Sequence, residues 1–197
     1  MRLEPSLPSD LPEGFSADAD GTRWIYNGGA SALIGHLIAR GTGRPLPQFA
    51  RAALFDPLGI GPTDWIAGAD GTPSAASGLR MTPRDLARIG QLVLDGGSRD
   101  GHTVVPASWL AEVVTPRIAI GGTMRYGYQW YLDSFPVGSP ARDVPWVGAN
   151  GNGGQRLYVL PALKLAVAIT AGNYNRPGQS AAPLHLMRQV ILPTLRA

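Results

Sequence analysis

In the stretch Gln155-Arg156-Leu157-Tyr158-Val159-Leu160-Pro161-Ala162-Leu163-Lys164-Leu165-Ala166-Val167-Ala168-Ile169-Thr170-Ala171, two apolar runs flank a four-residue break. Residues 155–160 and 165–171 read as strands, and Pro161-Ala162-Leu163-Lys164 joins them as a hairpin. The second run is nearly all apolar. A strand of that kind needs cover on both faces and neighbours on both edges. Outward from the hairpin, residues 124–132 form an aromatic strand, and residues 181–195 form an apolar helix with Pro183 and Pro193 near its ends. Three strands make a thin sheet for so apolar a member. This implies further strands and a central helix upstream that the chain does not carry.

The part before the strands is helical. Ala30, Leu33, Ile34, Leu37 and Ile38 recur at helical spacing, and Gly41 and Gly43 stop that helix. A second helix covers residues 46–55 and ends at Asp56-Pro57-Leu58-Gly59. Residues 61–78 read as a loop. Thr82-Pro83-Arg84-Asp85 then opens a third helix: Thr82 caps it, Pro83 suits its first position, and Asp85 reaches back. Leu86, Ile89 and Val93 are its apolar face, and Gly96-Gly97 end it. A shorter helix runs from Pro106 through Trp109, Leu110, Val113 and Val114 to Pro116. The expected fold class is therefore α+β, an antiparallel sheet flanked by helices. It forms one partial domain over residues 1–197: a loop at 1–23, a mainly helical part at 24–116, and strands with a closing helix at 117–197.

Composition narrows the chemistry. Apolar residues make up 44% and charged residues 16% of the 197, which suits a packed core rather than disorder. The net charge is +3, but the arginines are scattered singly, so no basic face for nucleic acid emerges. The predominance of arginine over the single lysine, Lys164, points to a GC-rich bacterial genome. Without cysteine there are no disulfides, thiolate metal sites or cysteine nucleophile. His36, His102 and His185 are isolated, and no His-x-x-x-His pair exists, so neither a metal nor another cofactor is expected. There is no Gly-x-Ser-x-Gly elbow and no phosphate-binding glycine loop. No apolar run is long enough to span a membrane, and residues 1–16 lack the pattern of a signal peptide. The compartment, cytoplasmic or periplasmic, stays open.

Two clusters remain as candidates. Trp24-Ile25-Tyr26-Asn27-Gly28-Gly29 stands at the entrance of the first helix, where free amides favour a phenolate. A tyrosine there serves as a general base if a cation also lowers its pKa, and otherwise anchors a loop. Gly148-Ala149-Asn150-Gly151-Asn152-Gly153-Gly154-Gln155 leads into a strand. Its glycines allow close backbone approach to a ligand, and a strand edge there can offer an amide to an oxyanion; the alternative is a flexible loop.

Together these residues resemble the serine β-lactamase and penicillin-binding-protein superfamily, in its class C β-lactamase-related branch of esterases and D-aminopeptidases. Tyr26-Asn27-Gly28 is similar to the Tyr-x-Asn motif, and Leu54-Phe55-Asp56-Pro57-Leu58-Gly59 to a Pro-Leu-Gly turn. Ala76 to Leu86 is similar to a Gly-Leu, Ser/Thr, Asp-Leu segment. Tyr126-Gly127-Tyr128-Gln129-Trp130 is similar to a Tyr-Gly-x-Gly-Trp strand, and Gly151 through Pro161 to the third motif and its hairpin. The resemblance implies a β-lactamase/transpeptidase-like fold and a serine nucleophile in Ser-x-x-Lys, acting through an acyl-enzyme. It also implies Tyr26 as the proton-transfer tyrosine and the backbone amide of Asn152 as an oxyanion donor. Asn27, Gly28, Ala149, Asn150 and Gly151 would line the substrate site.

The departures shape the expectation. No Ser-x-x-Lys occurs, since Pro161 stands three residues before Lys164. Gly28 replaces an asparagine, and Ala149 replaces a lysine or histidine that would hold a substrate carboxylate. These changes favour a small ester, amide or peptide over a β-lactam. The reading is a serine hydrolase lacking the segment that bears its nucleophile, inactive as it stands and open to pairing with that segment or with itself. The alternative is a non-catalytic relative that binds peptidoglycan or peptide.

Overall fold

The computed structural model describes residues 24–68 and 71–195, so the expected loop at 1–23 lies outside the described residues. Helix α1 (Gly28–Thr42) starts at Asn27, whose extended backbone and side chain cap it, and stops at Gly43 in the left-handed region. Helix α2 (Leu46–Ala50) runs on into a π-helical turn, Arg51–Phe55. Helix α3 (Pro83–Leu94) has Thr82 as its cap and Pro83 in its first turn. Asp85 meets the cap differently from the expected reach to the backbone: the Thr82 hydroxyl donates to its carboxylate over 2.7 Å. Helix α4 is Ala107–Val113. The loop expected at 61–78 holds one short strand, β1 (Asp64–Trp65), paired with β2 (Leu79–Arg80). A small hairpin of β3 (Ser98–Arg99) and β4 (His102–Thr103) follows α3.

The main sheet has six antiparallel strands rather than three: β5 (Ile118–Gly121), β6 (Met124–Gly127), β7 (Trp130–Val137), β8 (Arg142–Gly151), β9 (Gln155–Leu160) and β10 (Leu165–Ile169). Spatial order follows sequence order, from β10 at one edge to β5 at the other. The strand expected over 124–132 is in fact β6, a two-residue turn and the start of β7. Strand β8 escapes a pattern reading because Arg142, Asp143, Pro145 and two glycines interrupt it. Of the neighbours expected for β10, the described residues supply one: it pairs with β9 along one edge only.

Alternation along β9 explains the layers. Tyr158 and Leu160 face the closing helical segment, where they join Phe135, Val144, Trp146, Met187 and Leu192. Leu157 and Val159 face the other way, with Leu132 and Val147, onto Leu86, Ile89 and Val93 of α3. The closing segment is α5 (Ala181–His185), a π turn (Leu186–Ile191) and α6 (Leu192–Thr194). Gly90 lets α3 lie close on the sheet, since a Cβ there would stand 2.9 Å from the Ala166 Cβ and 3.0 Å from a Leu157 methyl. A third cluster, Phe55, Leu58, Ile60 and Leu92, ties the π turn to α3. Helix α1 stands apart from these cores. Its one buried residue is Gly35, where a Cβ would meet the Ala75 Cβ at 2.6 Å. No helix among the described residues is long and apolar enough to cross a membrane.

Candidate active site

The entrance of α1 and the end of β8 share one cavity of about 480 Å³. On the helix side the Asn27 Oδ1 accepts from the Ala30 N–H at 3.0 Å, which turns the chain and leaves Tyr26 71% exposed. Trp24 packs its ring 6.2 Å from Tyr26 and 5.8 Å from Tyr126, and Tyr126 packs 5.1 Å from Tyr131. An aromatic row thus runs from the helix entrance onto β6 and β7. Ile118, Ala149 and Asn150 complete the sheet side, with Ala75 and Ala76 from the loop under α1.

Of the residues singled out from sequence, Tyr26, Asn27, Ala149 and Asn150 line this cavity. Gly28 and Gly151 adjoin those residues in the chain and Asn152 lies one residue further on, but none of the three is among its lining. The Asn152 side chain is clasped elsewhere: its Nδ2 donates to Asn175 Oδ1 at 2.7 Å, and the Asn175 N–H donates back to its Oδ1 at 3.0 Å. Sequence reasoning assigned no role to Ser31, Gln129 or Tyr131, which also face the cavity. The pairing of the exposed turn after Tyr126 with α1 was the signal, and it exists only across 98 residues of chain: Ser31 Oγ donates to Gln129 Oε1 at 3.1 Å.

Two features set the electrostatics. Among the described residues, no charged side chain lines the cavity. Burial raises the pKa of Tyr126, and the neighbouring phenols of Tyr131 and Tyr26 raise it further. Burial likewise raises that of Tyr131, the Tyr26 phenol adding to it, with Arg156 opposing. Both phenols are therefore neutral donors at ordinary pH. Behind the cavity, Arg156 is 6% exposed and braces the β8–β9 turn. Its guanidinium donates to the carbonyls of Gly151 at 2.9 Å and Gln155 at 2.7 Å, and to Ser180 Oγ at 2.5 Å. The buried Oδ1 of Asn150 has no donor among the described residues, and a buried acceptor left so costs about 1–3 kcal/mol. No cluster of three His, Asp or Glu suited to a metal occurs among the described residues.

The β-lactamase family model matches residues 8–188. The chain belongs to the β-lactamase family. A 6-aminohexanoate-dimer hydrolase of Paenarthrobacter ureafaciens is 34% identical over 95 residues, 44% of this chain and 23% of the relative. A Bacillus anthracis protein assigned as a 6-aminohexanoate-dimer hydrolase superposes with a TM-score of 0.70 at 24% identity, over 82% of this chain and 42% of that one. The octameric penicillin-binding protein homologue from Pyrococcus abyssi gives 0.64 at 20% identity, over 88% and 45%. A class C β-lactamase gives 0.67 at 18% identity, over 98% of this chain and 66% of that one. These likenesses establish a β-lactamase/transpeptidase-like fold, present in part. The chain spans less than half the length of the first three of these proteins. Fold and family thus agree with the motifs from Tyr26 to Pro161.

Proposed function

We propose that this β-lactamase-family chain supplies two walls of an acyl-transfer pocket in a serine hydrolase acting on an uncharged ester or amide. The observation that carries the reading is the cavity that joins Tyr26, at the entrance of α1, to Ala149 and Asn150, at the end of β8. In this reading Tyr26 moves a proton between the nucleophile and the leaving group, and the Asn152 amide holds the developing oxyanion. A serine bearing the acyl group comes from a Ser-x-x-Lys segment, which these 197 residues do not contain. Ala149 and a lining without charge favour a neutral acyl group over a carboxylate-bearing β-lactam. The orphaned Asn150 acceptor supports a donor arriving from a group outside the described residues.

The expected result is that this chain turns over neither p-nitrophenyl acetate nor a cephalosporin above background. Turnover that survives Tyr26→Phe refutes the mechanism. Turnover lost in Tyr26→Phe means a nucleophile within the chain, and Ser31→Ala then tests the serine nearest to hand. The absence of Ser-x-x-Lys equally suits a second reading, a relative that binds peptidoglycan or peptide without cleaving it. Retention of a neutral peptide by the chain, with no hydrolysis after addition of a Ser-x-x-Lys segment, favours that reading.

A further inference from the structure

Gln129 occupies a backbone position that its side chain disfavours. Gly127 pairs with Trp130, so Tyr128 and Gln129 form the whole β6–β7 turn, with φ of 46° and 74°. Positive φ at both central residues is the pattern of a type I′ turn, the province of Asn and Gly. A non-glycine residue held in that region stores strain, and such strain concentrates where a side chain must be aimed. The carboxamide of Gln129 reaches back over the cavity. Its Oε1 accepts from Ser31 Oγ at 3.1 Å, on α1, and from the Tyr126 hydroxyl at 3.0 Å, on β6. Two donors fill the oxygen, so the amide nitrogen is left over. Its two N–H groups have no acceptor among the described residues, and the residue is exposed and lines the cavity.

We propose that Gln129 is a specificity-determining residue, its Nε2 donating a hydrogen bond to the carbonyl oxygen of an uncharged acyl compound held against the aromatic row. The inference rests on the acyl-transfer reading of the cavity and adds to it the group that selects the substrate. The chemistry follows from the neighbours. A neutral donor beside described walls that carry no charge matches a neutral acceptor, whereas a carboxylate would be desolvated there with no cation among the described residues to meet it. Trp24, Tyr126 and Tyr131, packed edge to face, give such a compound aromatic walls beside the donor.

The test uses the 197-residue chain and N-benzylbutanamide, a neutral amide with one aromatic ring, titrated by NMR. Gln129→Glu keeps an oxygen to accept from Ser31 and Tyr126 but removes the N–H donor. Gln129→Met removes the donor without adding charge. Loss of the donor is the one change the two variants share. The expected result is about tenfold weaker binding in both, the worth of one hydrogen bond to a neutral acceptor. Wild-type affinity in either variant overturns the proposal: retention in Gln129→Glu alone makes the carboxamide only a strap between α1 and β6, and retention in Gln129→Met alone makes the loss a charge effect. In each of those cases binding by the wild-type chain leaves the cavity reading standing. Failure of the wild-type chain to bind the probe overturns the cavity reading as well.

Discussion

Helices α1 and α3 carry the same kind of apolar periodicity and meet opposite fates. In α3 the face of Leu86, Ile89 and Val93 lies on β9 and β10, Leu92 is buried in the neighbouring cluster, and Gly90 brings the helix close to the sheet. In α1 the equivalent residues Leu33, Ile34 and Leu37 are 58%, 44% and 59% exposed. The difference shows that a pattern fixes which face of a helix is apolar, not what covers it. Burial thus ties α3 to one face of the sheet, as it ties the closing segment to the other, while α1 leaves its apolar face open and brings Ser31 to the cavity.

Three measurements would break or sharpen that contrast. The largest effect is expected for Leu92→Ala, which empties a site 4% exposed and should cost about 2–5 kcal/mol in urea unfolding. A cost under about 1 kcal/mol, the level of an open surface site, would mean that α3 is no better anchored than α1. Next is Asp85, at the start of α3. The Thr82 hydroxyl holds its carboxyl below the ordinary aspartate range, against the opposing effect of burial, and Arg88 lowers it further. A pKa depressed on folding stabilises above the unfolded value and is lost as pH falls through the folded one. Asp85→Asn should therefore cost about 1–3 kcal/mol at pH 7, and the gap from wild type should close as pH falls through the acid range. A gap that stays constant with pH would remove Asp85 from the account. The smallest effect is expected for Leu33→Gln with Leu37→Gln, which should shift unfolding by no more than about 0.5 kcal/mol each. A loss comparable to Leu92→Ala would show that α1 packs on something in solution.

The elements legible from sequence were those with strong local signals. Gly43, Thr82 and Pro83 bound α1 and α3 where caps and breakers said they would, while the Asn27 cap was not read from the sequence. The β9–β10 hairpin was plain from its two apolar runs. Strand β8 was not, because its glycines and Pro145 are tolerated through pairing with β7 and β9, which no local window contains. The β6–β7 turn was hidden for a related reason. Tyr128 and Gln129 are poor turn formers, and a long-range bond from Ser31 holds the second of them. The cavity was half legible: Tyr26, Asn27, Ala149 and Asn150 came from motif positions, while Gln129 and Tyr131 enter only when β6 and β7 are laid beside α1.

The guanidinium of Arg156 spends its bonds on two carbonyls and the Ser180 hydroxyl. The β8–β9 turn is thus held from within the chain, and the phenols of Tyr126 and Tyr131 keep their protons through neutrality. Capture of a neutral amide should consequently run flat from mildly acid to mildly alkaline solution. A slope would report a titrating group in reach of the bound amide, and so would overturn the reading of a pocket with neutral walls.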